Sequence, residues 1–292
     1  MFPKLFEFEI FGHPIVIGSY GVMMSVGYLA ALVVIYRRSA FLKIERDDML
    51  DLLFWILVSS IVGSRVMYVL TNPEGFSSRP LTVFAFWDGG FVFYGGVIAA
   101  LGAGALVVKL KNIPFLKAAD GIAPGLSIGH ALGRLGCYGV GCCWGKPSTG
   151  ILSARFPTES VAMDDLQNKG VLAVTASETM PLHPVQLYES FGEVAIFMGI
   201  LYLERKKPFH GGVIFFYLIA YGVLRFVTEI FRGDPTRGYI TKWETPFLNK
   251  YLSIPEGAPS FLSTSQLVSI IICFVTVTAL ILLYRRRAKA HN

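Results

Sequence analysis

Charge is what this chain has least of. Only 16% of its 292 residues are Asp, Glu, Lys or Arg, against about 25% in soluble globular chains. A soluble surface could not be covered from so small a supply. Hydrophobic residues reach 53%, and that excludes disorder, which needs low hydrophobicity and high charge. Cysteine is scarce as well, four in all, too few for a disulfide scaffold. There is no 20–50-residue repeat and no low-complexity tract. No P-loop or dinucleotide fingerprint occurs, so nothing points to nucleic acid, nucleotide or flavin. The first eleven residues hold Glu7 and Glu9 but no basic n-region. A cleaved signal peptide is therefore not expected, and the first helix should stay in the mature protein.

What is present is apolar length. A helix needs about 20 mostly apolar residues to cross a bilayer core of ~30 Å. Seven stretches qualify, near 15–36, 50–70, 87–108, 118–137, 187–203, 212–231 and 264–284. They predict an all-α polytopic membrane protein with about seven transmembrane helices, a single integral-membrane domain over 1–292. Lys and Arg placement orients it. The connections 37–48, 109–117 and 204–210 and the tail 285–292 hold 14 of them, whereas the longer segments 1–14, 71–86, 138–186 and 232–263 hold 9. The basic side is expected to be cytoplasmic, with the N-terminus outside and the C-terminus inside. The two extracytoplasmic loops, 138–186 and 232–263, are long enough to be functional. Trp144, Phe156, Trp243 and Tyr251 predict that they form ordered caps, and the working side is expected to be external.

A charge at the bilayer centre costs ~2.5–3.5 kcal/mol on insertion scales. Acids near span ends, such as Asp88 and Glu189, are expected to reach water. Arg65, Arg134 and Arg225, with Glu229, need a reason. Arg225, Glu229 and Arg232 are spaced i, i+4 and i+7 and share one helical face. Two readings stand. In one, Glu229 bridges two arginines and locks the sixth span. In the other it orients Arg225 and leaves the guanidinium fork free for an anion, which that planar group binds through parallel hydrogen bonds. Arg134 lies in Gly129-His130-Ala131-Leu132-Gly133-Arg134-Leu135-Gly136, whose glycines let another backbone or a lipid come close. His130 shares its face, either as a packing histidine bonded to a neighbour or as part of a site. With only Glu229 near, Arg134 and Arg225 predict an anion between them, and a phospholipid headgroup is the one at hand.

Cys137, Cys142 and Cys143 form a C-x4-C-C cluster, with His130 and His183 not far in sequence. The spacing does not match the paired C-x2–4-C of zinc sites, and no metal is expected. A disulfide and packed or site-lining thiols both remain open. Trp87-Asp88-Gly89-Gly90-Phe91-Val92-Phe93-Tyr94-Gly95-Gly96 sets two Gly-Gly pairs among aromatics at the outer start of the third span, where Tyr94 offers a hydroxyl at membrane depth.

These residues together resemble the prolipoprotein diacylglyceryl transferase family. The resemblance runs through Ser19-Tyr20-Gly21, Gly63-Ser64-Arg65-Val66-Met67-Tyr68, Trp87-Asp88-Gly89-Gly90 and Asp120-Gly121-Ile122-Ala123-Pro124. It continues through Gly133-Arg134-Leu135-Gly136, His183-Pro184-Val185-Gln186-Leu187-Tyr188-Glu189, Tyr221-Gly222 and Arg225-x3-Glu229-x2-Arg232. Where the family signature usually continues Asn, Phe, Asn, then Gly-Glu before a last Gly, this chain has Cys137, Tyr138, Val140, Gly141-Cys142 and Gly145. The His-Gly-Gly of many members is Tyr94-Gly95-Gly96 here.

The resemblance implies seven spans with the N-terminus outside, in the bacterial cytoplasmic (inner) membrane, with the active site toward the outer face. It implies transfer of diacylglyceryl from phosphatidylglycerol to the lipobox cysteine of prolipoprotein signal peptides, releasing glycerol phosphate, without a cofactor. Arg134 and Arg225 would clamp the phosphate, Glu229 would hold Arg225, and Arg232 would meet the headgroup at the outer edge. Tyr94 stands where a base has been put forward; either its hydroxyl or the arginine field would favour the thiolate. Tyr20, His183, Gln186, Tyr188 and Glu189 would shape the outer site or bind the peptide, unless they only anchor and tether loops. Arg65, Tyr221 and Gly145 are carried over from the matching motifs as substrate-site residues. Two other readings fit the spans: a membrane transporter for an anionic solute, and a paralogous phospholipid-headgroup transferase.

Overall fold

The computed structural model describes residues 3–10, 13–77, 80–86, 89–206, 209–234, 238–255 and 258–291. The chain opens with strands β1 (Lys4–Ile10) and β2 (His13–Gly18), an antiparallel pair with Glu7 opposite Val16 and Phe8 opposite Ile15. Helices α1 (Ser19–Phe41) and α2 (Arg46–Thr71) follow, then the short α3 (Glu74–Ser77) and a 3₁₀ turn at Pro80–Phe84. Next come α4 (Phe93–Leu110), α5 (Phe115–Val140), α6 (Val161–Asn168), α7 (Val185–Arg205) and α8 (Gly212–Ile230). Strand β3 (Tyr239–Trp243), helix α9 (Pro246–Tyr251), strand β4 (Phe261–Ser263) and helix α10 (Thr264–His291) complete the order, with β3 antiparallel to β4. The protein is thus mostly helical. The all-α expectation is corrected by these two hairpins, since 15–18 is strand and not the start of a span.

Among the described residues five helices are long and apolar enough to cross a membrane: α1, α2, α4, α8 and residues Thr264–Leu283 of α10. The chain is a multi-pass membrane protein. Helices α5 and α7, of 26 and 21 residues, have the length but carry Lys117, Asp120 and Arg134, and Glu189, Glu193, Glu204 and Arg205. The third helix starts at Phe93 and not at 87. Gly89 and Gly90 have φ of +72° and +75°, which no helix accommodates. Trp87 and Asp88 lie outside the described residues.

The chain divides into two compact units, residues 32–122 and residues 1–31 with 123–292. In the first, Met49, Leu52, Leu53, Val107 and Val108 form the buried core with Ile35, Ile44 and Ala118. Helices α2 and α4 touch backbone to backbone there: a Cβ on Gly63 would meet Gly95 O at 2.6 Å, the close approach that small residues give membrane helices. Lys111 ties the end of α4 to Asp48 and Asp51 of α2 at 2.8 and 2.7 Å.

The second unit has two cores. One lies along α7 and α8, from Ile196, Ile200, Val213 and Tyr217 with Ala123. The other belongs to the 138–186 loop itself, where Trp144, Phe156, Ala162, Leu166 and Leu182 are buried together. Ser160 caps α6 by accepting from Met163 N at 3.3 Å, and bridges pair Pro147 and Ala154 with Leu182. The loop is ordered around its own core, with Trp144 and Phe156 inside it. Trp243 and Tyr251 in the other loop are exposed, although β3–β4 gives that loop its own order.

Candidate active site

Helix α5 ends in a Schellman cap. Gly141 takes φ +75°, with its N–H donating to Tyr138 O at 3.3 Å and the Cys142 N–H reaching back to Cys137 O at 3.1 Å. Both are the bonds that close that motif. The chain then turns again at Cys143, φ +59°. The result folds three thiols together: the sulfurs of Cys137, Cys142 and Cys143 all lie within 4.8 Å of one another. Gln186 Nε2 holds the turn by donating to Cys142 O at 2.6 Å.

Gly145 sits at a three-way crossing. It bridges to Arg232, Lys146 N donates to Phe231 O at 2.7 Å, Gly233 N to Trp144 O at 3.1 Å, and His183 N to Lys146 O at 2.9 Å. A Cβ on Gly145 would collide with His183 O and stand 2.7 Å from Val185 Cγ2. Only glycine lets the three backbones meet. Lys146 staples the crossing through its Nζ, which donates to Ile230 O at 2.7 Å and Pro259 O at 2.6 Å. Burial pushes this ammonium down to about 8, with the Glu229 charge pulling the other way.

At the centre of the site is Glu189, 1% exposed. Its Oε2 is 2.5 Å from Arg134 Nε, its Oε1 is bonded to Arg225 Nη1 and to Thr228 Oγ1 at 3.2 Å, and Arg232 Nη1 lies 3.9 Å from Oε1. Arg225 also donates to Glu229 Oε2 at 2.6 Å. Arg232 forms a bidentate pair with Asp234, both contacts 2.7 Å. On the other side Arg134 Nε donates to His130 Nε2 at 3.1 Å. Since arginine can only donate, His130 Nδ1 faces Glu193 Oε1 as the donor, at 2.7 Å. Ser127 closes the row on Glu193 Oε2 at 2.8 Å. A continuous polar ribbon thus runs Glu193, His130, Arg134, Glu189, Arg225, Glu229 across α5, α7 and α8, its charges alternating in sign from Arg134 to Glu229.

One part of that ribbon is open. Arg134 donates through Nε alone among the described residues, so its two terminal nitrogens have no protein acceptor there, and its side chain keeps 14% exposure. The end that forms a fork for a carboxylate or phosphate is available.

Residues 6–282 match the family pattern of prolipoprotein diacylglyceryl transferase. The chain belongs to that family. It is 28% identical over 263 residues to a Clostridium tetani protein named phosphatidylglycerol–prolipoprotein diacylglyceryl transferase, covering 90% of this chain and 91% of that one. Proteins of the same name from Geobacter sulfurreducens and Methylococcus capsulatus are each 33% identical, over 73% and 78% of this chain and 76% and 82% of theirs.

Against the family resemblance, the structure gathers most of the expected residues in one unit. Arg134, Glu189, Arg225, Glu229 and Arg232 form the ribbon. Tyr221 lies edge-on to His130 at 5.2 Å and stacks on Tyr217. Tyr20, at the start of α1, packs its backbone 3.3 Å from where a Cβ on Gly136 would be. His183 and Tyr188 are hydrogen-bonded at 3.2 Å and line a cleft of about 390 Å³ with Ser148, Leu152 and Ser253. Burial pushes His183 below its ordinary value, helped by the Lys146 charge, while Leu252 and Ser253 backbone bonds oppose it.

Four expectations are corrected. Glu189 does not reach water but is buried among arginines. The Arg225 fork is not free, because Glu189 and Glu229 occupy it. Glu229 pairs with Arg225, whereas Arg232 turns to Asp234 instead. Arg232 does not stand free for a headgroup: it is buried and binds Asp234 through Nε and Nη2. Arg65 and Tyr94 belong to the unit 32–122. Arg65 is buried and donates to the carbonyls of Val83 (3.0 Å), Thr82 (2.6 Å), Gly89 and Gly90 (3.3 Å), with Tyr68 and Phe76 rings at 5.6 Å. It ties a loop. Tyr94 is 68% exposed in the first turn of α4. Glu193, Ser127, Thr228, Asp234 and Lys146 escaped the sequence reading. Glu189 and Glu193, four apart in a helix, were the signal for the first.

Proposed function

We propose that this protein transfers the diacylglyceryl group of phosphatidylglycerol to the cysteine thiol in the lipobox of a prolipoprotein signal peptide. It does so as one integral-membrane domain in the bacterial cytoplasmic membrane, seven spans deep, with the site toward the outer face. The observation that carries this reading is the Arg134 fork, held by Glu189 and His130 from behind and open in front. The thiolate sulfur attacks the glyceryl carbon, a C–S bond forms, and the C–O bond breaks with its electron pair leaving on glycerol phosphate. Arg134 binds that phosphate. Arg225 and Arg232 act as positioning residues: by holding Glu189 they fix the angle of Arg134. A donor aimed at a developing anion is worth about 3–4 kcal/mol, roughly 10²–10³-fold in rate.

Thiol deprotonation falls to the Tyr94 hydroxyl or to the field of Arg134, and Tyr94→Phe separates them. A loss comparable to that of Arg134→Ala assigns the hydroxyl; a mild loss assigns the field. The cleft beside His183, Tyr188 and exposed Ile151 and Leu152 is where the peptide segment would rest. The direct test incubates purified protein with phosphatidylglycerol and a lipobox peptide and reads the peptide by mass spectrometry. A diacylglyceryl mass on the cysteine, absent with Arg134→Ala, is expected. No adduct from folded protein, with another family member active alongside, would overturn the reading in favour of a paralogue with altered chemistry.

A further inference from the structure

The family signature is broken here by cysteine, and the fold turns those positions into a cluster. Cys137 is in the last turn of α5; the left-handed residues Gly141 and Cys143 bring the next two cysteines back over it, so that the three sulfurs lie within 4.8 Å of one another. All three are half-buried and free, accessible yet sheltered. With metal–thiolate bonds of about 2.3 Å, three sulfurs around one ion stand about 4 Å apart. The cluster therefore needs to close by less than about 1 Å, a movement of side-chain rotation alone. Among the described residues no His, Asp or Glu atom joins the group. Zn²⁺ in structural sites takes four protein ligands, whereas soft thiolates select Cu(I) as well.

We propose that Cys137, Cys142 and Cys143 form a three-coordinate thiolate site for a soft monovalent cation, Cu(I). Three S–H bonds release protons, three Cu–S bonds form, and copper stays at +1, so the step needs no oxidant or reductant. The product carries two negative charges, and two guanidinium groups act on it, each shared with a carboxylate: Arg134 with Glu189 and Arg232 with Asp234. Arg232 and Arg134 both act electrostatically on Cys143. Arg232 Nη1 is buried without a hydrogen-bond acceptor, a Glu189 oxygen standing 3.9 Å off. A copper–thiolate anion there would draw on the same Arg134 charge that takes the phosphate. Metal binding is independent of the transferase reaction; its effect on turnover rests on that reading.

The test titrates reduced, metal-free protein in detergent with Cu(I) against a chromophoric Cu(I) chelator under anaerobic conditions. One equivalent per chain is expected, lost in Cys137→Ser, Cys142→Ser and Cys143→Ser and kept in Cys273→Ser. Undiminished binding in the three variants, or none in wild type, would overturn the site. X-ray absorption of the copper-loaded wild type keeps the question decidable if a variant fails to fold: three sulfur neighbours are expected, and two sulfurs or nitrogen–oxygen neighbours would refute it. In the lipobox-peptide assay with one equivalent of Cu(I) preloaded per chain, adduct formation should fall in wild type and not in Cys143→Ser. Stoichiometric binding without any adduct from metal-free enzyme would sink the transferase reading alone; binding without suppression would sink only the competition.

Discussion

Arg134 and Arg225 carry the same charge, yet their surroundings give them different work. Arg225 is closed on both sides by carboxylates, while Arg134 keeps its terminal nitrogens open. Arg134→Lys should therefore recover little of the activity lost in Arg134→Ala, because lysine keeps the charge and loses the fork; near wild-type adduct yield from Arg134→Lys would count against a bidentate role. Glu189 is the opposite case, a buried anion that three arginines share. Removing one partner of a buried ion pair costs about 3–5 kcal/mol by leaving the others uncompensated, so Glu189→Gln should lower the detergent melting temperature more than Tyr94→Phe does. The arginines were legible in the sequence because charge in an apolar run demands an explanation. Their partners were less so, since an acid near a span end reads as solvated until the neighbouring helices are in place. Lys146 adds a pH dependence. Its folded value is about 8 against an ordinary 10.5, so between those values the unfolded chain binds more protons and stability rises with pH. Across pH 8 to 10.5 wild type should gain melting temperature relative to Lys146→Met; a constant difference would show that the ammonium is not strained by burial.

Helices dominated the sequence reading because their signal is long. Each of the seven apolar stretches coincides with a helix, displaced by a few residues where another element intervenes. The β1–β2 hairpin escaped although Phe6-Glu7-Phe8-Glu9-Ile10 alternates with the period of a strand, a pattern shorter than any span. The tight crossing at Gly145 could not be read at all, since it depends on the Phe231–Gly233 and His183 backbones arriving from distant parts of the chain. It makes a firm prediction. Gly145→Ala puts a methyl into His183 O, and overpacking of this kind costs about 1–3 kcal/mol. The substitution should lower the melting temperature and, because Arg232 is bridged to Gly145, reduce transfer as well. Unchanged stability and activity would mean that the crossing yields easily. The same Gly→Ala change at Gly102, where a Cβ meets nothing within 4 Å, should be tolerated and serves as the control.

The number of crossings is where residue chemistry and topology meet. Among the described residues five helices are apolar enough to span on their own; α5 and α7, which carry charges of the site, are not among them. Those charges are largely each other's partners: Arg134 of α5 with Glu189 of α7, and His130 and Ser127 of α5 with Glu193 of α7. An unpaired charge in the bilayer centre costs ~2.5–3.5 kcal/mol even on insertion scales, and intramembrane charges persist where they pair in a protein interior. With seven crossings, the polarity that sets α5 and α7 apart from the other five helices would be the polarity that lets them cross together. Five or seven crossings both put the two termini on opposite sides of the membrane, so termini cannot distinguish them. The 138–186 cap can. With seven crossings it is outside; with five, everything from 111 to 211 stays on the basic, cytoplasmic side. Val174, at the exposed tip of that cap, is the position to test. Alkaline phosphatase inserted there should be active, and a fluorescent protein at the same position dark after export through the general secretory route. The reverse pattern would leave α5 and α7 on the cytoplasmic side and separate the arginine ribbon from the outer leaflet that the proposed reaction uses.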